Sequence, residues 1–388
     1  MNGASRIPEG SGKHLRILRL VLSIGDTSAP YNQFSLAMLK EQDITICTYF
    51  KSKITAPTEI TLFEGDGSLM GFFRALKAAL DRQEHDIVHA HTPHVGFLFL
   101  VATFCRSRKS IPTTIYTVHS SFPNYKKLRH KLLLIPVFAL FQRVVCCSHA
   151  SFESVPKLYR WLVDDRLCVV RNGVDIDRID RIVGNQRKYH YSGRFNVTMV
   201  GRLIEVKNPL ATLHAFQNGA DSTCRLVVVG DGCLRRLLLS ESKALGLSKQ
   251  VEMTGLISRE EVYRSLYKAD LLVSTSRVEG LPIAVLEAMA CRCPVLLSDI
   301  PSHRELADGA DFIPLIPGHD LAGFAREIKR FMRMSLEEKA DIGQRCRKLV
   351  EDRFSLAVMH QLYKKMFAQL LEESQRGNTS PQSGGGGR

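Results

Sequence analysis

The chain has 388 residues, 45% of them hydrophobic and 24% charged, with 53 basic against 39 acidic residues and a formal net charge of +14. At roughly 100–200 residues per domain this composition supports more than one buried core and excludes a disordered chain. Ten cysteines stand as scattered singles apart from the neighbours Cys146-Cys147 and the close Cys291/Cys293. With no CxxC pair and no signal-peptide pattern at the start, the expected setting is reducing and intracellular.

In chain order, the apolar runs LRILRLVLSI (15–24), ITICTYF (44–50), DIVHAH (86–91), TTIYTVHS (113–120), RVVCCS (143–148) and RLCVVRNG (166–173) alternate with stretches of helical spacing such as FFRALKAALDRQ (72–83). Alternation of this kind predicts a largely parallel sheet covered on both faces. After the polar stretch RIVGNQRKYHYSGR (181–194) the pattern restarts with FNVTMVGRL (195–203), CRLVVVGDG (224–232), VEMTGLI (251–257), ADLLVSTS (269–276) and CPVLLSD (293–299). Two αβ domains are expected, at 1–185 and 195–350, with a ligand cleft beyond the carboxyl ends of their strands. The amphipathic stretch SLAVMHQLYKKMFAQLLEES (355–374), within 351–375, is expected to pack back onto the body, and 376–388 to be disordered. LLLIPVFALF (132–141) is too short for the roughly 18 residues that span a bilayer.

In the second half, VTMVG is followed by Arg202 and then by Lys207, Asn208 and Pro209. Gly201 lets the backbone turn at the strand end, and the two cations beyond it are suited to clamp a diphosphate, although solvated helix-flanking charges would look the same. VVVGDG (227–232) places Gly230 at a second strand exit, where a plain tight turn is the simpler reading. ADLLVSTS, RVEGLP and IAVLEAMA then read as strand, loop and helix, with Pro282 in the first helical turn, where its missing N–H costs nothing. A helix starting inside the cleft offers free amides and a dipole to a phosphate. Glu279 lies just ahead of that helix and Glu287 about 7 Å along its axis, which suits the first to sugar hydroxyls and the second to a ribose. The plain alternatives are a turn carboxylate and an exposed helix charge.

GRLIEVKNP (201–209), VVVGDG (227–232) and EGLPIAVLEA (279–288) followed by PVLLSD resemble, in order and spacing, the retaining glycosyltransferases of the large GT4-type family, which have the GT-B fold. The likeness runs from about residue 15 to 372. It implies an α/β architecture of two Rossmann-like domains facing a central cleft, with the C-terminal helix packing back. Carried over by position, it makes Arg202 and Lys207 the pyrophosphate-neutralising pair and Glu279 the sugar-side glutamate of a Glu-x7-Glu motif, with Glu287 on the ribose. Gly201, Gly230 and the amides of Gly280, Leu281 and Ile283 become donor contacts. Pro282 stands where many members have glycine and removes one backbone donor there.

In the first half, HAHTPH (89–94) has a metal-like spacing, but a strand ending near His91 need not converge the three rings, and no neighbouring Cys, Asp or Glu completes a ligand set. His119, after the strand TTIYTV, is expected at the sheet's carboxyl edge facing the cleft. The residues alone leave a structural histidine open, whereas the resemblance makes His119 a catalytic contact to the donor sugar and His91 a weaker cleft candidate. In Arg171-Asn172-Gly173-Val174-Asp175, Asn172 and Asp175 are expected to cap and fix a turn. Gly25 stands alone where many members carry Gly-Gly, so the approach of Gly25 and Thr27 to the donor is left open.

The resemblance implies transfer of a hexosyl group from a UDP- or GDP-linked sugar to a lipid-linked or glycan hydroxyl with retained anomeric configuration, in cell-surface polysaccharide or glycolipid synthesis. No metal and no further cofactor are expected, the leaving diphosphate being neutralised by Arg202, Lys207 and the helix start, with His119 and Glu279 at the sugar. Rivals are a sugar-nucleotide epimerase or hydrolase on the same fold, and an inactive sugar-nucleotide-binding scaffold, against which the intact Arg202, Lys207, Glu279 and Glu287 argue. A dinucleotide oxidoreductase lacks its glycine fingerprint. Residues 1–190 carry 26 basic and 16 acidic residues, and no acidic residue lies between Asp86 and Glu153. The basic band 106–143 beside LLLIPVFALF is expected to contact an anionic membrane from the cytoplasmic face. Nucleic acid would be drawn to the same charge, but no recognition motif for it is present.

Overall fold

A computed structural model of the chain describes residues 14–26, 28–105, 111–184 and 194–379. Thr27, Arg106, Arg108 and Lys109, most of the polar stretch between the halves, and the tail from 380 lie outside the described residues.

The first half builds a seven-stranded sheet from β1 (Leu15–Val21), β2 (Gln42–Thr48), β3 (Ile60–Glu64), β4 (Ile87–Ala90), β5 (Thr113–Val118), β6 (Arg143–Cys146) and β7 (Leu167–Val169). Their spatial order is β3-β2-β1-β4-β5-β6-β7, and every pairing is parallel. The second half repeats the scheme with β8 (Phe195–Val200), β9 (Cys224–Val229), β10 (Val251–Gly255), β11 (Leu271–Ser274), β12 (Val295–Ser298) and β13 (Leu315–Ile316), in the order β10-β9-β8-β11-β12-β13, again all parallel. Parallel strands buried on both faces read as unbroken apolar runs, which is why β4, β5 and β12 were visible in the sequence. The edge strands β3 and β13 were not expected: one mixes Thr and Glu into its run and the other is two residues long.

Strand order reverses between β1 and β4 in the first sheet and between β8 and β11 in the second. Ligands of such sheets bind where the loops diverge at these points. The chain therefore brings together the loops after Val21 and Ala90 on one side, and those after Val200 and Ser274 on the other.

The helix Leu356–Thr379 returns to the first sheet, burying Met359, Tyr363, Met366, Phe367 and Leu370 against Ile17, Ile87, Ile115 and Val145. It runs past residue 375 into the stretch expected to be disordered. The two passages between the domains are stitched together where Val174 N–H donates to Phe354 O at 2.9 Å and Leu356 N–H to Val174 O at 2.9 Å. Asp175 caps the helix Ile176–Val183 by accepting from Arg178 N–H at 2.8 Å, the capping role expected of it. That helix takes up the beginning of the stretch read as a polar linker.

Candidate active site

The loop after β8 turns at Gly201, and Lys207 closes the short 3-10 turn Glu205–Lys207. Gly230, after β9, has φ +133°, and a Cβ there would lie 2.0 Å from the Gly201 carbonyl oxygen. No side chain fits, so the two strand exits are held backbone to backbone. Lys207 Nζ lies 2.5 Å from Glu279 Oε1, and the same oxygen accepts from Ser276 Oγ at 2.7 Å. Arg202 is exposed and makes no ion pair among the described residues. Of the two cations expected to share a diphosphate, one is thus tied to the first glutamate and the other is free.

The helix after the Glu279 loop spans Ile283–Ala290. Pro282 is its cap, with φ −77° and ψ 100°, one position ahead of the expected first turn. Its carbonyl accepts from Val285 N–H and Leu286 N–H, while its ring offers the amides of Ile283 and Ala284 nothing. Those amides carry the positive end of the helix dipole toward the Glu279 loop. Val285, Leu286, Ala288, Met289 and Ala290 are all in the core, so the helix is fixed by packing around nearly its whole circumference.

Glu279 and Glu287 are not surface charges, their side chains being 10% and 3% exposed. Glu287 Oε1 lies 2.9 Å from Arg259 Nη2, with Tyr263 alongside. Burial pushes its pKa up, and the pull of Arg259 opposes that shift only in part. Gln33, Asp175, Arg178, Arg259 and Tyr263 line the small pocket around Glu287, so both domains contribute to it. Gln33 Nε2 donates to Gly173 O at 2.7 Å, and its Oε1 is buried without a partner.

The backbone amides of Gly280 and Leu281 were expected as donor contacts, a role that the placement of their side groups does not test. Leu281 lies in the core, and Gly280 is packed against the opposite domain, where a Cβ would meet His119 O at 2.7 Å and Cys147 Sγ at 2.9 Å. Across the same contact Ser121 Oγ donates to Glu279 O at 2.6 Å and Ser148 Oγ to Gly280 O at 2.8 Å. Glu305 accepts from His149 N–H and Ala150 N–H at 3.0 and 2.9 Å and pairs with Arg171 Nε at 2.8 Å. Loop and cleft wall are therefore one closed unit.

His119 emerges after β5 at the cleft edge, half-buried, with Nε2 2.9 Å from His91 Nδ1. His89 and His91 stack with centroids 4.1 Å apart and His91 and His119 at 5.2 Å, with Phe34 against all three rings. Burial lowers the pKa of His119 from the ordinary 6.5 to about 4. His94, the third histidine of HAHTPH, turns away to His130. Among the described residues no three His, Cys, Asp or Glu are placed to hold a metal ion. Gly25 opens a turn in which Ser28 N–H donates to its carbonyl, faces Lys53, and is absent from the residues lining the Glu287 pocket.

Sequence reasoning missed Arg259, Ser276 and Ser121. Arg259 carried a partial signal: it directly follows Ser258, which with Glu261 forms a capping box, so an Arg at the first position of that helix was locatable but its partner was not. Ser121 carried none, because a hydroxyl reaching a backbone carbonyl in the other domain leaves no local pattern, whereas Ser276 stands only three residues before the Glu279 carboxylate to which it donates.

Two mixed α/β lobes on parallel sheets, a cleft at both switch points and a helix returning to the first lobe define the GT-B architecture. The model of Glycosyl transferases group 1 matches residues 185–349, and that of Glycosyltransferase Family 4 matches residues 52–178. The chain is a GT-B-fold glycosyltransferase related to these two groups. It is 27% identical over 356 residues to the UDP-Gal:alpha-D-GlcNAc-diphosphoundecaprenol alpha-1,3-galactosyltransferase of Escherichia coli, covering 84% of this chain and 87% of the relative. It is 28% identical over 235 residues to the GDP-mannose:cellobiosyl-diphosphopolyprenol alpha-mannosyltransferase of Xanthomonas oryzae pv. oryzae, covering 57% and 58%. Among solved structures, Anabaena Alr3699/HepE in complex with UDP and glucose superposes with a TM-score of 0.74 at 17% identity, covering 92% of this chain and all of the other.

Proposed function

We propose that this enzyme transfers a hexosyl group from a UDP- or GDP-linked sugar to a hydroxyl of a lipid-linked saccharide, with retained configuration, in the building of a cell-surface polysaccharide or glycolipid. The observation that carries the reading is the Lys207–Glu279 pair beside the start of the Ile283–Ala290 helix, gripped from across the cleft by Ser121 within the segment that also holds His119. Lys207 and Ala284 line one small pocket with Glu279, and the exposed Arg202 follows the strand exit at Gly201, which suits a departing diphosphate that gathers negative charge. In this reading those groups neutralise the diphosphate. Glu279 fixes the sugar hydroxyls, neutral His119 meets the sugar from the opposite wall, and Glu287 with Arg259 holds the ribose. Two relatives with diphosphopolyprenol acceptors and α-linked products support the acceptor class and the retained configuration.

No helix among the described residues is long and apolar enough to cross a membrane. The helix Leu128–Leu140 exposes Leu128, Leu132 and Leu140 next to Lys126, Lys127, Arg129 and Lys131. That mixture suits the headgroup layer of an anionic bilayer, and the proposed station is the cytoplasmic face. The test is a panel of UDP- and GDP-sugars with polyprenyl-diphosphate-linked saccharides, the product's anomeric proton being read by NMR. Turnover of one donor with retention supports the reading; hydrolysis or epimerisation without acceptor, or no turnover, overturns it. Replacing the four basic residues by Glu should abolish sedimentation with phosphatidylglycerol vesicles, and unchanged sedimentation would remove the membrane face.

A further inference from the structure

Arg19, on β1, is fully buried beneath the histidine stack and has no carboxylate within ion-pair distance among the described residues. Its guanidinium is spent on neutral acceptors: Nη2 donates to Phe34 O at 3.3 Å and to Gln42 Oε1 at 3.1 Å, and Nη1 to His89 Nδ1. An unpaired buried cation is costly, so its retention asks for a use. Arginine only donates, which makes His89 Nδ1 an acceptor and puts the ring proton on Nε2. Nε2 accordingly donates to Thr117 Oγ1 at 2.7 Å, and Thr117 shares a 3.1 Å hydrogen bond with the Tyr363 hydroxyl on the returning helix. The tautomer of His89 is thus dictated by Arg19, and the Thr117 hydroxyl, which can accept as well as donate, adapts to it.

We propose that Arg19 is a positioning residue for His119: it fixes His89 as the Nε2–H tautomer and, as a charge below the stack, opposes protonation of His89 and His91, so that the rings stay aligned and hold His119 for contact with the donor sugar. This rests on the donor-side role given to His119 above. A second positive charge on His89, or on His91 stacked 4.1 Å away, would face Arg19 across a buried, low-dielectric space. The other polar groups facing the stack are Tyr363, Thr117 and, further along the returning helix, His360, whose Nε2 is bonded to Gln33 O at 2.8 Å. None of them is a carboxylate, so nothing among the described residues compensates a protonated ring. His91 Nε2 is buried without a partner. A proton left there would be an orphaned donor, so the favoured arrangement has His91 donating from Nδ1 to His119 Nε2. His119 then keeps its own proton on Nδ1, the remaining nitrogen, for the cleft.

The test uses the full chain labelled with 15N-histidine, with NMR read from about pH 8 to about pH 5. In the wild type, His89 should hold the Nε2–H form and the three stacked rings should stay neutral throughout. Arg19→Gln keeps a donor and removes the charge, so His89, the ring in contact with Arg19, should begin to titrate within that window. Arg19→Lys keeps the charge with fewer donors, so it should mix the His89 tautomers without raising the titration. In transfer assays Arg19→Gln should lower kcat about tenfold, leave the KM for the donor within about twofold, and move the acid limb of the kcat profile upward. A wild-type His89 in the Nδ1–H form, or titrating near the ordinary histidine value, overturns the proposal even if neither variant folds. So does a folded Arg19→Gln protein with an unmoved titration and acid limb. Failure of the wild type to turn over any donor would instead defeat the functional reading, while the spectrum still judges Arg19.

Discussion

The two walls of the cleft solve the same problem by different means. On the C-terminal wall each buried carboxylate meets a cation: Glu279 with Lys207, Glu287 with Arg259. On the N-terminal wall a buried arginine has no anion beside it among the described residues, and the imidazoles above it are held neutral instead. Charge is balanced by pairing on one side and by deprotonation on the other. The difference teaches where each wall is fragile: the paired wall fails when one partner is removed, the neutral wall when acid is added.

The largest effect should come from splitting the more buried pair. Arg259→Met strands the Glu287 carboxylate and should cost about 3–5 kcal/mol of stability, while adding Glu287→Met should recover much of it; urea unfolding of the two singles and the double measures the coupling. If the singles are additive, the carboxylate is not being held by Arg259. Glu279→Gln should leave the fold intact, release Lys207 and lower kcat about a hundredfold, a transition-state loss of roughly 2.7 kcal/mol. An unchanged rate would remove Glu279 from the reaction.

The neutral wall breaks with pH. His119 is lowered by burial from 6.5 to about 4. Between those values the unfolded chain binds protons that the native state refuses, so stability is complete above about pH 6.5 and falls as pH drops toward about 4. Urea midpoints taken across that interval should decline toward acid, and a flat profile would mean that the rings protonate in place. The smallest expected effect belongs to the contact between the walls: Ser121→Ala removes one hydroxyl-to-carbonyl bond, to Glu279 O, and should cost about 1 kcal/mol of stability, seen as a small drop in the urea midpoint.

Much of the C-terminal wall was legible because its parts lie within short stretches: a strand, the EGLP turn and an apolar helix fix Glu279 and Glu287 in one continuous segment. The pairing of each glutamate was not legible, since Lys207 and Arg259 sit on other elements and only the sheet order brings them near. Pro282 was read one position too far into its helix because proline serves equally as cap or as first helical residue. On the N-terminal wall His119 could be placed by its strand. The stack beneath it could not, since His89, Thr117 and Arg19 come from three strands and Tyr363 from a helix that begins beyond residue 350. The edge strands escaped for a related reason, being too short or too mixed to show a period.

Ser121 and Ser148 hold the main chain of Glu279 and Gly280, not a side chain. Any widening of the cleft at that point must break both bonds and draw the Glu279 loop away from the histidine wall. On the proposed function, letting go of a spent nucleotide and disarming the glutamate would then be a single movement, and two hydroxyl groups would serve as its latch.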